Sequence, residues 1–321
     1  MKALRFEHTG SLDALHLAEV DPPRLQPGEV LIRVEAAAIN PSDAKNVMGK
    51  MHRTTLPRIP GRDFAGVVVE GPVEFIGREV FGSGGNLGFS RDGTHAEFVA
   101  VPGAVLVDKP KSISFAQAAA FGVAHLTAWA GLVRAANLQP GESVLVTGVT
   151  GAVGSAVAHM AKWLKAGSVL GVVRRATGQT EGSPVDLYVN LETGNLSEAV
   201  MAATGNRGVD VVFDAVGGPL FEPCLHCLAH GGRQIAIAAP GDGRVSFNLR
   251  DFYHQEARLL GVDSLALSLE QSADILRALL PGIESGCFPP SEVEICTLEE
   301  ALQAYLRIEE GKAAKKIVIH P

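Results

Sequence analysis

Three glycines at a spacing of three, Gly148, Gly151 and Gly154, lie in the run "VTGVTGAVG", which is otherwise small and apolar. They join a strand-like "SVLVTG" to a helix-like "AVGSAVAHMAKWLKAG". A strand ending at Gly148 and a helix opening near Ala152 bring backbone N–H groups and a helix N-terminus together, which favours a pyrophosphate. Gly151 lets the backbone approach the phosphates and Gly154 lets the helix pack on the sheet. The segment Thr150, Gly151, Ala152, Val153 and Gly154 is therefore the expected cofactor cradle. The common fingerprint has a glycine where this chain has Val149, so context carries the expectation more than the motif does. A tight turn without a ligand is the alternative.

Which dinucleotide binds is read at the end of the second strand, "SVLGVVRRATG". A carboxylate there would hold the ribose hydroxyls of NAD. Arg174 and Arg175 stand there instead, and guanidinium groups bind a phosphate through paired hydrogen bonds, so NADPH is expected. Two solvated arginines on a loop are the alternative reading. The segments "AVGG" and "AIAAP" fall at carboxyl ends of parallel strands, which makes Gly217 and Ala238 expected backbone neighbours of the cofactor. "CLHCLAH" gathers Cys224, His226, Cys227 and His230, residue types that can bind a metal. It reads as a helix on the sheet with Cys224 and Cys227 on one face, and small buried cysteines suit that role without metal or redox chemistry.

The elements that must position these residues change texture along the chain. Up to about Gly122, short β-like runs such as "EVLIRVEAAAI", "DFAGVVVEG" and "HAEFVAVPG" are broken by Gly and Pro, as in a mainly antiparallel β domain. After the Ala-rich "SFAQAAAFGVAHLTAWAGLVRAANLQPGE", apolar strands alternate with helical segments, the pattern of βαβ units in a doubly wound parallel sheet. The last section, with "SLEQSADILRALLPGIESG", "SEVEICTL", "EEALQAYLRIEEG" and "KKIVIHP", leaves that alternation and is assigned back to the first domain. The expected class is α/β, with residues 1–123 and 264–321 forming the mainly β domain and 124–263 the nucleotide domain.

A length of 321 residues fits two domains. With 46 % hydrophobic and 20 % charged residues the composition is globular, and a net charge of −7 offers no general attraction to nucleic acid or anionic membrane. No stretch reads as a signal peptide or reaches the ~18 apolar residues of a membrane span, so a soluble cytoplasmic protein is expected. The four cysteines lie in the last third and are expected to be reduced.

"GEVLIRVEAAAINPSDAK", "IPGRDFAGVV", "GTHAEFVAVP", "GESVLVTGVTGAVGSAVAHMAKW", "GVDVVFDAVGG" and "LAHGGRQIAIA", in this order and spacing, resemble the medium-chain dehydrogenase/reductase superfamily. Within it they resemble the zinc-free quinone oxidoreductase branch that includes zeta-crystallin. The resemblance implies a GroES-like catalytic domain, a Rossmann domain, an active-site cleft between them, a small-molecule substrate and usually a homodimer. Zinc-dependent members carry a catalytic Cys, and a Gly-His-Glu, where this chain has Asn40 and then Arg62 and Asp63, so no zinc is expected.

The resemblance also implies site roles. Asn40 lies close to the nicotinamide and substrate, with Asp43 as its hydrogen-bonding neighbour or alternatively a turn residue. Thr127 lies near the nicotinamide, or is a plain helix residue. Ser264 and Leu265 contact the carboxamide, or form a hinge. Lys45 and His52 could relay a proton but read better as solvated side chains. The Tyr common after this Asn-x-x-Asp stretch is missing, which argues against an enoyl-thioester reductase. The expected reaction is NADPH-dependent reduction of a quinone or another electron-poor carbonyl compound. The alternatives are an alkenal or enone reductase, or an NADPH-binding redox sensor or structural protein without turnover.

Overall fold

The computed structural model describes residues 1–175, 182–192 and 194–321. The chain divides into two compact units, Met1–Leu126 with Ser264–Pro321, and Thr127–Asp263.

The first unit opens with β1 (Lys2–Arg5) and β2 (His16–Glu19), an antiparallel pair. The long β3 (Glu29–Ala38) leads into the helix α1 (Pro41–Val47). Then come β4 (Phe64–Glu70), β5 (Glu79–Gly82), β6 (Phe98–Pro102) and β7 (Val107–Asp108). The apolar α2 (Phe115–Trp129) follows and continues as a π-helical segment, Ala130–Ala135. By length and composition, Phe115–Ala135 could cross a membrane, contrary to the expectation that no stretch would; 78 % of its most apolar window is buried, as in a core helix.

The second unit carries the βα alternation: β8 (Ser143–Thr147), α3 (Ala152–Trp163), β9 (Ser168–Val173), β10 (Leu187–Asn190), α4 (Leu196–Ala203), β11 (Val209–Asp214), α5 (Phe221–Leu225), β12 (Leu228–Ala236), α6 (Leu249–His254) and β13 (Arg258–Gly261). Among the described residues its sheet has six strands, all parallel, in the order β10-β9-β8-β11-β12-β13. This is the doubly wound order whose reversal point lies between β8 and β11, and ligands bind outside the carboxyl ends of the strands there. One local expectation is corrected. The helix holding Cys224 ends at Leu225, so Cys227 is not on its face, and His230 lies in β12. Leu228 already pairs with Val209, and this sheet contact pulls the chain out of helix five residues before the expected "RQIAIA" strand.

The chain returns to the first unit with α7 (Leu269–Glu284), β14 (Val293–Thr297), α8 (Ala301–Glu309) and β15 (Lys316–His320). β15 lies antiparallel to β3, Val318 opposite Ala38 and Ile319 opposite Ala37, and parallel to β14. The mainly antiparallel sheet runs β14-β15-β3-β4-β5-β7, with β6 also on β3. Ile39, Val47, Tyr305, Ile317 and Ile319 share a core with Leu4 and Phe6, so the strand and helix ends that carry the polar residues described below are anchored by apolar packing.

The glycine turn closes as its spacing requires. Gly148 has φ +62, and Gly151 stands just before α3. A Cβ at Gly154 would lie 2.2 Å from the Gly148 carbonyl oxygen, so the helix meets the turn at backbone contact. Val149 is buried, and its Cγ1 would lie 2.8 Å from a Cβ at Gly171. A side chain therefore fits where the common fingerprint has glycine, because β9 leaves room for it. Gly154→Ala gains helix propensity but collides with backbone that cannot yield. We expect it to lose about 1–3 kcal/mol of stability in urea unfolding. A midpoint equal to wild type would contradict the close approach.

Candidate active site

β3 ends at Ala38, and two residues later Asn40 takes the cap position of α1, with Pro41 in the first helical position. Pro there suits a helix start because its missing N–H would have had no helical partner. Asp43, three residues on, accepts the Asn40 backbone N–H through Oδ2 at 2.7 Å. That is one half of a capping box. The Asn40 side chain also reaches partners outside the helix. Its Nδ2 donates to Asp63 Oδ2 at 2.9 Å and makes a long 3.5 Å contact with the Ala38 carbonyl. Its Oδ1 accepts from the Lys316 ammonium. The strand register explains this partner: carried on from Val318 opposite Ala38, it sets Lys316 opposite Asn40.

Asp63 is buried and fully engaged. Its Oδ1 accepts the Val123 N–H at 2.9 Å and the Ser83 hydroxyl, while Thr94 donates to its backbone carbonyl at 2.9 Å. Beside it Arg62, 1 % exposed, donates to the Ser264 carbonyl at 3.1 Å and stacks its guanidinium 5.8 Å from the centre of the Phe89 ring. Two carboxylates, Asp43 and Asp63, thus share a buried region with the cations Arg62 and Lys316, a balanced set. Burial pushes the Asp43 carboxyl up to about 6, with the Asp63 charge adding to it and the Asn40 N–H and the two cations opposing it. Burial lowers Lys316, against the pull of Asp63 and Asp43.

Behind this set lies a neutral pair. Burial holds His95 down at about 3, so its ring is uncharged. Its Nε2 faces the Ala38 carbonyl at 3.4 Å, which can only accept, so Nε2 carries the proton. Nδ1 is then the acceptor for the Tyr305 hydroxyl at 2.7 Å. Burial raises the Tyr305 phenol well above its ordinary range.

In the second unit, the turn before α3 presents exposed Thr150, Gly151 and Ala152, with Val153 half-buried and Gly154 buried. The loop after β11 is pinned by Asp214, whose Oδ1 accepts from the Thr147 hydroxyl at 2.7 Å and from the N–H groups of Val216 at 3.1 Å and Gly217 at 2.9 Å. A Cβ at Gly217 would lie 2.4 Å from the Ala238 carbonyl oxygen, so these two expected cofactor neighbours are adjacent. Arg174 and Arg175 are exposed just past β9. Arg175 pairs with Glu192 at 3.4 Å, an open contact that water screens.

Asn40 and Asp43 are therefore brought together in the first unit, while the Ser264 carbonyl accepts from Arg62, whose charge acts on Asp43. Leu265 is buried beside Ser264 in a short turn. Thr127 is buried on α2, in the second unit. Lys45 and His52 are exposed. Cys224 and Cys227 are buried free thiols, the latter pushed up to about 12 by burial and donating to the Pro223 carbonyl at 3.2 Å. Sequence reasoning missed Lys316, His95, Tyr305, Thr147 and Asp214. A lysine opening an otherwise apolar strand and an aspartate closing one were signals, but their partners come from distant segments.

Zinc does not fit these residues. A tetrahedral site needs thiolate, imidazole or carboxylate ligands converging on one point. Here the buried Arg62 guanidinium, a cation with no lone pair to give, stands next to Asp63, and an amide faces both Asp63 and Lys316.

Residues 26–111 match the model of the alcohol dehydrogenase GroES-like domain and residues 152–278 that of the zinc-binding dehydrogenase. The chain is 36 % identical, over 99 % of its length and 97 % of the relative's, to the zinc-type alcohol dehydrogenase-like protein C337.11 of Schizosaccharomyces pombe. It is 31 % identical to quinone oxidoreductase of Rattus norvegicus, over 99 % of this chain and 98 % of that one. Among solved structures, an NAD-dependent alcohol dehydrogenase superposes with a TM-score of 0.87 at 28 % identity, covering all (100 %) of both chains.

The raised Asp43 carboxyl yields a stability prediction. A carboxyl near 6 in the fold and near 3.8 in the unfolded chain favours folding in its protonated form. That advantage is full below about pH 3.8, falls as pH rises to about 6, and is gone above it. Asp43→Asn keeps an acceptor for the Asn40 N–H but carries no charge. Relative to wild type it should therefore gain stability across that window, by an amount of the order of 3 kcal/mol, and level off above it. Urea unfolding at pH 4, 5, 6 and 7 checks this, and a difference that does not change with pH would contradict it.

Proposed function

The chain belongs to the medium-chain dehydrogenase/reductase family, in its quinone oxidoreductase-like branch, and from that premise we propose that it reduces a quinone or another electron-poor carbonyl compound with NADPH, independently of zinc. The observation that carries the reading is Asn40. Its amide is buried, and it has one N–H committed to Asp63 at 2.9 Å and a second making only the 3.5 Å contact with Ala38. That second N–H is a ready donor to a substrate oxygen gaining negative charge, which is the kind of stabilisation such reductions need.

The second unit's residues fit a bound dinucleotide. Thr150, Gly151, Ala152, Val153 and Gly154 present a turn and a helix start to a pyrophosphate. Arg174 and Arg175 offer their guanidinium groups to a 2′-phosphate, and Gly217 and Ala238 give a backbone surface at the strand ends. Thr127, Ser264 and Leu265 are assigned to the nicotinamide end. When bound, the reduced nicotinamide supplies the hydride.

A quinone suits this site better than an enone. Reduced quinone oxygens take their protons from water, whereas an enone needs a proton delivered to carbon. Of the titratable groups around Asn40, Lys45 and His52 are exposed, Tyr305 is sealed against His95, and Asp43 and Lys316 are buried with their bonds committed to Asn40 itself. The enzyme is read as soluble and cytoplasmic. It is also read as a homodimer, because β13 ends the parallel sheet with Leu259 exposed and its open edge can pair with a second copy. Sedimentation should give a dimer that Leu259→Glu dissociates; a wild-type monomer would remove that reading.

NADPH oxidation with a panel of quinones, an alkenal and a simple ketone, NADH run in parallel, tests the function. Preference for quinones with NADPH is expected, and preference for the alkenal would shift the assignment to enone reduction. NADPH binding without turnover on any acceptor would favour a sensor or structural role. Replacing Arg174 and Arg175 by Ala should weaken NADPH binding by roughly 10-fold or more and NADH binding little; equal losses would remove the NADPH assignment. Asn40→Ala should lower kcat about 100-fold while leaving NADPH affinity nearly unchanged, and an unaltered kcat would discard its role.

A further inference from the structure

We propose that Lys316 is the positioning residue that fixes which end of the Asn40 amide meets the substrate oxygen. The inference rests on the reading that Asn40 contacts the substrate. The two ends of a carboxamide have nearly the same shape, and only their hydrogen-bond partners choose between them. Here Oδ1 faces the Lys316 ammonium and Nδ2 faces the Asp63 carboxylate. Flipping the amide would set N–H groups against an ammonium and a carbonyl oxygen against a carboxylate. Two opposed charges therefore hold one orientation, and that orientation keeps an N–H rather than a carbonyl for the substrate. An ammonium on the carbonyl oxygen also draws electron density from the amide nitrogen, which makes its N–H a stronger donor.

The fold spends effort on this contact. The register of β15 on β3 carries Lys316 to Asn40. The preceding Lys315 instead pairs with Glu292 at 3.0 Å at the surface. The charged and titratable groups around the ammonium are Asp43 from α1, Asp63 and Arg62 from the segment leading into β4, and the His95 ring, which is bonded to Tyr305 of α8. The two carboxylates keep a buried cation tolerable, while burial lowers its pKa from that of a free lysine. Deprotonation would release the charge that holds Oδ1, so kcat should fall on the alkaline side of its pH profile.

Two measurements test the assignment. The side-chain amide 15N shift of Asn40, followed through a pH titration of the wild-type protein, should inflect with Lys316, and the inflection should vanish in Lys316→Met. Steady-state kinetics with a quinone should show kcat reduced about 10- to 100-fold in Lys316→Met, with NADPH affinity by fluorescence unchanged and the alkaline limb gone. Ethylamine should restore part of the activity of Lys316→Ala, and Lys315→Met should behave as wild type. An Asn40 amide that does not respond to alkaline pH, or kcat within twofold of wild type in Lys316→Met, would overturn the proposal. Should Lys316→Met fail to fold, the wild-type titration alone decides. A wild type inactive with every acceptor would sink the functional reading, while the amide titration would still decide whether Lys316 governs Asn40.

Discussion

Charge buried without a partner is costly, and the first unit of this protein is organised around meeting that constraint at one point. Asp43, Asp63, Arg62 and Lys316 bring two negative and two positive groups into a protein interior, each from a different part of the chain or a different face of a turn. Losing one of the cations would leave a carboxylate uncompensated where water cannot reach it, whereas losing the Asp43 charge relieves its repulsion with Asp63. The segments that carry them are tied down by apolar packing: Ile39 and Val47 flank Asn40 and Asp43, Ile317 follows Lys316, and Tyr305 closes the cluster from α8. The core thus acts as the frame that keeps a polar centre assembled.

At that centre the amide of Asn40 is the one group whose role changes with orientation. A side chain in the cap position of a helix ordinarily satisfies the helix N-terminus. Here Pro41 removes one of the helical N–H groups, and the Asn40 side chain turns to Asp63 and Lys316. The same short stretch, "NPSD", therefore begins a helix and presents a polar group. The second unit shows a similar economy. Asp214 closes a strand, accepts from Thr147 on the neighbouring strand, and shapes the Gly217 loop that touches Ala238.

Much of this was legible in the sequence. The glycine turn, the alternation of strands and helices, and the return of the last segments to the first unit follow from local patterns that the chain writes out directly. Asn40 and Asp43 were named through the family resemblance of "AAINPSD", and the hydrogen bond between them agrees with that pairing. Lys316 was not, because the register that sets it opposite Asn40 joins strands about 280 residues apart, and such pairing leaves no local mark. The His95–Tyr305 pair was hidden for the same reason. The end of α5 was misjudged where a sheet contact, Leu228 on Val209, overrode the helical character of "EPCLHCLAH". The Val149 departure from the common glycine pattern became intelligible only with Gly171 beneath it.

The central claim is that Asn40 and Lys316 act on the substrate as one unit. A double-mutant cycle on kcat/KM with a quinone, comparing Asn40→Ala, Lys316→Met and the two combined, tests this most directly. If Lys316 works through the amide, its replacement costs nothing further once the amide is gone, and the combined variant matches Asn40→Ala. Losses that multiply in the combined variant would mean the two residues act independently and would contradict the account.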